Sequence, residues 1–183
     1  MLPTMTSAEA EPPTTAEPAP EPFEDFYVRE YGAVVALGLA LTGDRGLAEE
    51  LAQDAFLAAH RRWDRIAQYD APAAWVRRAV VNRSRSAWRR RSREARALER
   101  LVRVDRPVVD GEGVEPDRFW ALVRGLPARQ AQCVALHYLD ELSAAEIASV
   151  LGCSVATVRV HLHRGRAALA QVLSLDLDGD HES

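Results

Sequence analysis

Apolar residues in this chain recur every three or four positions and nowhere sustain the period-two alternation a strand requires. Phe26, Tyr27, Tyr31, Val34, Val35, Leu37, Leu39 and Leu41 form one broad stripe, and Leu47, Leu51, Ala55, Ala58 and Ala59 form a narrower one. Such spacing predicts helix packed on helix, an all-α fold. The first helix begins at Phe23 and breaks at Thr42-Gly43-Asp44, and the second runs from about Arg45 to Ile66. Pro72 and Asp70, a candidate N-cap, mark a third, from about Ala73 to beyond Arg91. Further on, the pattern predicts helices over Phe119–Val123, Ala128–Leu139, Ala144–Leu151 and Val155–Leu173.

Two segments interrupt this pattern. Residues 1–22 are rich in Pro, Glu, Ala and Thr without periodicity, the composition of a disordered extension. Residues 104–117 contain two prolines, two glycines and five acidic groups against one arginine, which reads as a tether. The expected organisation is two small helical domains, 23–92 and 117–174, joined by a flexible linker over 93–116 and followed by an acidic tail, 175–183.

Charge is segregated. The formal net charge is -4, but residues 1–25 hold six acidic groups and residues 174–183 hold four, with no basic residue in either. Removing those ten leaves 17 acidic against 23 basic side chains in residues 26–173, a net of +6. All the basic residues are arginine. No stretch reaches the roughly 18 to 20 uninterrupted apolar residues of a membrane span, and no basic flank precedes an apolar run at the N-terminus, so the expected compartment is the cytoplasm. Cys133 and Cys153 sit in apolar helical contexts and read as buried free thiols. No metal site or cofactor is expected: His161 and His163 are two apart and so on different helix faces. No nucleophile–base pair, P-loop or zinc-protease motif marks an enzyme.

Two segments carry chemistry. Arg77 to Arg103 holds eleven arginines and only Glu94 and Glu99 against them, with Trp63, Tyr69, Trp75 and Trp88 nearby. Guanidinium groups neutralise phosphates, aromatic faces stack on unpaired bases, and Asn82 adds an amide, a combination suited to a partly opened strand. The plainer alternative is a solvated basic helix whose tryptophans are core. Ala144 to Leu162 has the pattern of a helix-turn-helix. Ala148 is small where two helices must cross, Gly152 tolerates a left-handed turn four positions on, and Ser143 and Ser154 are candidate N-caps. The second helix would display Thr157, Arg159, His161, His163, Arg164 and Arg166 to a major groove.

In order along the chain, these pieces resemble the extracytoplasmic-function (ECF) sigma factors, group IV of the sigma-70 family. Leu41-Thr-Gly-Asp-Arg-Gly-Leu-Ala-Glu-Glu-Leu-Ala-Gln-Asp-Ala-Phe resembles region 2.1–2.2, and Trp75-Val-Arg-Arg-Ala-Val-Val-Asn-Arg-Ser-Arg-Ser-Ala-Trp resembles region 2.3–2.4. Leu126-Pro-Ala-Arg-Gln with Tyr138-Leu-Asp-Glu-Leu-Ser-Ala-Ala-Glu-Ile-Ala is similar to region 4.1 entering 4.2. The resemblance implies a helical sigma region 2 domain and a region 4 helix-turn-helix domain. It implies that Glu50, Gln53, Asp54 and Leu57 dock on the β′ clamp of the bacterial RNA polymerase core, and that region 4.1 meets the β flap. It further implies that Tyr69, Trp75, Arg78, Asn82 and Arg85 hold the separated −10 strand of promoter DNA. Thr157, Arg159, His161, His163, Arg164 and Arg166 would read the −35 duplex. An anti-sigma factor is a further implied partner. Ala156-Thr-Val-Arg-Val-His departs from the Gly-Thr-Val-Lys-Ser-Arg common in the family. The competing reading is a LuxR-type helix-turn-helix regulator that binds duplex DNA without polymerase, since Thr157-Val-Arg-Val-His-Leu resembles that class too.

Overall fold

A computed structural model describes residues 20–101 and 115–179, with side chains placed over 20–86 and 118–173. The expected N-terminal extension up to residue 19, most of the linker, the end of the tail, and the side chains of Trp88 and of the arginines from 89 to 103 lie outside them. The described residues form eight helices and no strand: α1 Phe23–Thr42, α2 Arg45–His60, α3 Trp63–Ile66, α4 Pro72–Leu101, α5 Glu115–Gly125, α6 Ala128–Leu139, α7 Ala144–Leu151 and α8 Val155–Gly179.

Helix ends follow local chemistry. Gly43 is left-handed at φ 69°, and its N–H donates to Leu39 O at 2.7 Å, closing α1. Asp44 Oδ1 then accepts from Leu47 N at 2.8 Å, opening α2. α1 and α2 cross where small residues meet: a Cβ on Gly38 would lie 3.1 Å from Ala48 Cβ. The single second helix expected to Ile66 is divided, because the chain turns at Arg61-Arg62 to send Trp63 inward. The Trp63 ring lies 4.6 Å from that of Phe26, and Nε1 donates to Glu21 O at 2.9 Å. α4 starts at Pro72, whose missing N–H suits a first helical position, so Ala71 rather than Asp70 flanks it. The helix continues past residue 92 to Leu101. α5 is longer than the expected Phe119–Val123.

In the second lobe, Ser143 and Glu146 form a reciprocal capping box on α7. Gly152 ends α7 at φ 63°, and Ser154 Oγ accepts from Thr157 N at 3.1 Å to start α8. α7 and α8 are bent by 106° at this turn, the angle of a helix-turn-helix. α8 presses on α6 at Gly165, where a Cβ would meet Val134 Cγ2 at 3.0 Å.

Two cores hold the molecule. One lies within the first lobe: Phe26, Val34, Ala52, Ala55, Phe56, Ala59, Ile66, Val76 and Val80. The other is shared, joining Leu37 and Ala40 of α1 and Val81 of α4 to Val123, Ala131, Val134, Ile147, Val158 and Leu162. α1 therefore packs on α2 and α4 but also on α5 and α6, and α4 packs on α7. The helix ends meet reciprocally across this seam. Arg124 of α5 covers Gly43 at the end of α1, and Arg78 of α4 covers Gly152 at the end of α7; an added Cβ would lie 2.8 Å from Arg124 Nε and 3.0 Å from Arg78 Nη2. Neither α1 nor α7 has a basic residue in its own last turn. The opposite lobe supplies the cation that a helix C-terminus favours.

Candidate nucleic-acid and protein interfaces

α2 presents Glu50, Gln53, Asp54 and Leu57 at i, i+3, i+4 and i+7, and all four are exposed. Gln53 and Leu57 form one wall of a largely apolar groove of about 540 Å³ completed by Phe23, Glu24, Tyr27, Val28, Phe56 and His60. Leu57 is 51% and Val28 79% exposed, two large aliphatic groups left to solvent on one face. Val28 escaped the sequence reading. Its signal was there, an apolar residue off the buried stripe of α1, but a lone apolar surface residue is ordinary.

Each residue of α4 advances about 100° around the helix axis. Asn82, seven positions beyond Trp75, therefore lies almost directly over it. Ala79 and Arg83 fall to one side of that line, Arg78 and Arg85 to the other. On the first side Trp75, Ala79 and Arg83 face Ala58, Arg61 and Arg62 across a cavity of about 260 Å³. Three guanidinium side chains, one indole face and two small residues make a recess suited to a base with its phosphate. Arg61 and Arg62 lay outside the cationic segment read from the sequence, and Arg83 was in it without being assigned to the −10 strand, because the recess joins an unforeseen turn to α4 some twenty residues further along the chain. On the other side Arg78 lies against Gly152 and Arg85 lines the seam between the lobes. Tyr69 and Asn82 are exposed. Of the five residues expected to hold a separated strand, Trp75 faces one flank of α4, Arg78 and Arg85 lie on the other and Asn82 sits between them, while Tyr69 lies in the turn before the helix.

One residue near the cationic segment, Trp63, and one member of it, Arg77, are not part of a DNA-facing surface. Trp63 is embedded in the aromatic cluster with Phe23 and Phe26. Arg77 is buried in an ion triad: Nη1 donates to Glu30 at 2.9 Å and Nη2 to Asp140 at 2.8 Å. Its side chain is 12% exposed and that of Asp140 1%. Burial alone would lower the Arg77 pKa, but the bonds to Asp140 and Glu30 outweigh it and hold the guanidinium above its ordinary range. Arg77 Nε and Asp140 Oδ2 are buried without a hydrogen-bond partner.

On α8, Thr157, Arg159, His163, Arg164 and Arg166 are exposed. Thr157 Oγ1 is 2.8 Å from Ser154 Oγ, which fixes its rotamer at the helix start. Val160, 47% exposed, shares a face with Thr157 and Arg164 and was not foreseen; an aliphatic group there suits a thymine methyl. His161 is turned away: it lies beside the buried stripe of Val158 and Leu162, and its Nδ1 is buried without a partner. Arg166 sits over the ring of Tyr138, with Cζ 5.5 Å from the centroid.

Residues 26–94 match the family Sigma-70 region 2, and residues 117–169 match Sigma-70, region 4. The chain is 32% identical over 159 residues to an RNA polymerase sigma-E factor of Streptomyces avermitilis, covering 85% of this chain and 88% of that one. The chain belongs to the extracytoplasmic-function sigma factors of the sigma-70 family. It is also 29% identical over 140 residues to the ECF RNA polymerase sigma factor SigW of Bacillus subtilis, covering 69% and 75% of the two. Its fold is similar to that of the sigma factor RpoE from Bartonella quintana, co-crystallised with the anti-sigma factor NepR: TM-score 0.68 at 23% identity, covering 84% and 98%. In this sigma factor the region 2 match takes in α1, α2, α3 and most of α4, and the region 4 match takes in the helix-turn-helix. A LuxR-type regulator accounts for the second match alone, and that reading falls away.

Proposed function

We propose that this sigma factor binds the bacterial RNA polymerase core and directs it to promoters, region 2 holding the opened −10 element and region 4 reading the −35 duplex. The observation that carries the reading is that one chain matches both regions and displays a separate basic surface in each. The α2 face of Glu50, Gln53, Asp54 and Leu57, with its apolar groove, is the docking surface for the β′ clamp. Asn82 and the recess of Arg61, Arg62, Trp75 and Arg83 take the separated strand, with Tyr69, Arg78 and Arg85 along its flanks. Flipping a base out of the stack costs a few kcal/mol, which stacking on an aromatic face at about 1–3 kcal/mol offsets. Thr157, Val160, Arg159, His163 and Arg164 enter the major groove. We read the domains as 23–92 and 117–174, the compartment as the cytoplasm, and an anti-sigma factor as a candidate regulator.

The closed arrangement does not suit both tasks at once. The −35 and −10 elements are about 25 base pairs apart, roughly 85 Å of duplex at about 3.4 Å per pair. Yet α4 touches α7, and Arg78 lies on the helix-turn-helix glycine. Promoter engagement therefore requires the lobes to part along the α1–α6 and α4–α7 seam.

Run-off transcription with core polymerase on a genomic promoter pool, with start sites sequenced, tests the reading. Defined starts dependent on this protein are expected; starts identical to those of core polymerase alone would overturn it. Asn82→Ala should keep core binding and lose strand opening by permanganate footprinting.

A further inference from the structure

Glu21 and Pro22 anchor the start of the fold next to the turn between α2 and α3. Glu21 O accepts from Trp63 Nε1 at 2.9 Å, and the Glu21 carboxylate pairs with Arg29. One indole and one guanidinium thus hold a Glu-Pro dipeptide. The same dipeptide recurs in the segment before it, as Glu17-Pro18 and Glu11-Pro12. A second indole with guanidinium groups lies open on the other side of the turn. Arg62 directly precedes Trp63 in the chain, their Cα atoms about 3.8 Å apart. Arg61 and Arg62 join Arg83 and the partly buried Trp75 in the recess of about 260 Å³. No acidic side chain lines that recess. Among the described residues, none of its three arginines has an ion-pair partner. Residues 1–20 hold three carboxylates, Glu9, Glu11 and Glu17, and no basic side chain.

We propose that the acidic N-terminal segment folds back and seats Glu17-Pro18 in this recess, the carboxylate against the guanidinium groups and the proline ring on Trp75. The chemistry repeats what Trp63 and Arg29 do for Glu21-Pro22. Carboxylate on guanidinium is a charge-assisted bond, often bidentate, and proline-rich segments dock on aromatic faces at low cost in ordering. Reach permits it: the four residues from Glu21 back to Glu17 span up to about 14 Å. So short a tether gives the segment an effective concentration on the order of millimolar, at which weak contacts suffice. The acidic linker is less well placed. It leaves α4 beyond Leu101, about 39 Å along the helix from Trp75 at 1.5 Å per residue. The recess is also the seat assigned to a −10 base with its phosphate, so segment and strand exclude each other; this consequence rests on that reading. The segment then lowers the affinity for the strand in proportion to the fraction of recess left free.

The chain contains no lysine, so Arg62→Lys, at an exposed position, introduces a single side-chain amine. A water-soluble carbodiimide joins such an amine to a carboxylate in direct contact with it, with loss of water. Applied to the full Arg62→Lys chain without DNA or polymerase, it should link the introduced amine to Glu17, read by peptide mapping of the monomer. Linkage to any carboxylate outside residues 1–20, the acidic tail included, or no linkage, would overturn the proposal while leaving the promoter reading untouched. The competition is read by fluorescence anisotropy of a labelled single-stranded oligonucleotide at low salt. Glu9→Gln with Glu11→Gln and Glu17→Gln should bind it roughly eightfold more tightly than the native chain, at about twofold for each exposed ion pair lost. Asp176→Asn with Asp178→Asn and Asp180→Asn changes the net charge equally and should bind as the native chain does. Equal gains in the two triple variants would overturn the proposal. If the crosslink forms at Glu17 but no chain binds the strand, the docked segment stands and the promoter reading of the recess fails.

Discussion

Replacing Asp140 by alanine should loosen the seam between the lobes more than any other single polar change in it. The Asp140 side chain is 1% exposed and accepts at 2.8 Å from Arg77, itself 12% exposed. Removing one partner of a buried pair costs about 3–5 kcal/mol when the other charge is stranded. Arg77 is not wholly stranded, because Glu30 remains at 2.9 Å and parting of the lobes would hydrate it. The loss of one charge-assisted hydrogen bond, about 2 kcal/mol, is then the better figure, a shift of roughly thirtyfold toward the open form. Hydrogen exchange read by mass spectrometry over residues 37–41 of α1 and 131–136 of α6 reports that shift directly. A companion pair, Arg77→Met with Asp140→Leu, removes both buried charges and leaves Glu30 bonded to Arg29 at 3.0 Å. It should stay nearly as closed as the native chain, since apolar replacements of buried ion pairs are often neutral or better. Wild-type exchange in Asp140→Ala, or equally fast exchange in the apolar pair, would refute the assignment of the triad as an inter-lobe tie.

Leu57→Asp should weaken core polymerase binding at least tenfold, as at an interface anchor. Because Leu57 is 51% exposed, its thermal midpoint should change little; unchanged co-elution with core would remove Leu57 from that surface. Ser143→Ala should cost about 1 kcal/mol by thermal or urea unfolding through loss of the α7 cap. The side-chain and backbone hydrogen bonds of Ser143 hold the Glu146 carboxyl below its usual range. Its contribution is therefore complete above about pH 4.3 and is lost as pH falls through the lowered folded value; the acid limb of the stability curve should flatten in Glu146→Gln. Burial pushes the Cys133 thiol up to about 11. Cys133 should resist a thiol reagent at pH 8 until urea unfolds the chain. Stability should decline from about pH 8.5, where an unfolded thiol ionises, toward 11, and Cys133→Ala should remove that slope.

What could be read from the sequence was what neighbours within four residues decide. The break at Gly43-Asp44, the Ser143 and Ser154 caps, the left-handed Gly152 and the α7–α8 pair are each set by hydrogen bonds one helical turn long. The family resemblance, not periodicity, singled out Glu50, Gln53, Asp54 and Leu57, which lie on one exposed face of α2. Periodicity says that a face is apolar, not what covers it: Leu37 and Leu41 carry the same stripe as Phe26 and Val34 but pack into the core shared with the second lobe. Only the tertiary structure decided that Arg77 belongs to a buried triad, because its partners lie 47 and 63 residues away along the chain. Distance in sequence also hid the recess of Arg61, Arg62, Trp75 and Arg83, which no single helix contains. Local chemistry shaped the helices, and long-range burial chose which arginines face solvent and which join the lobes.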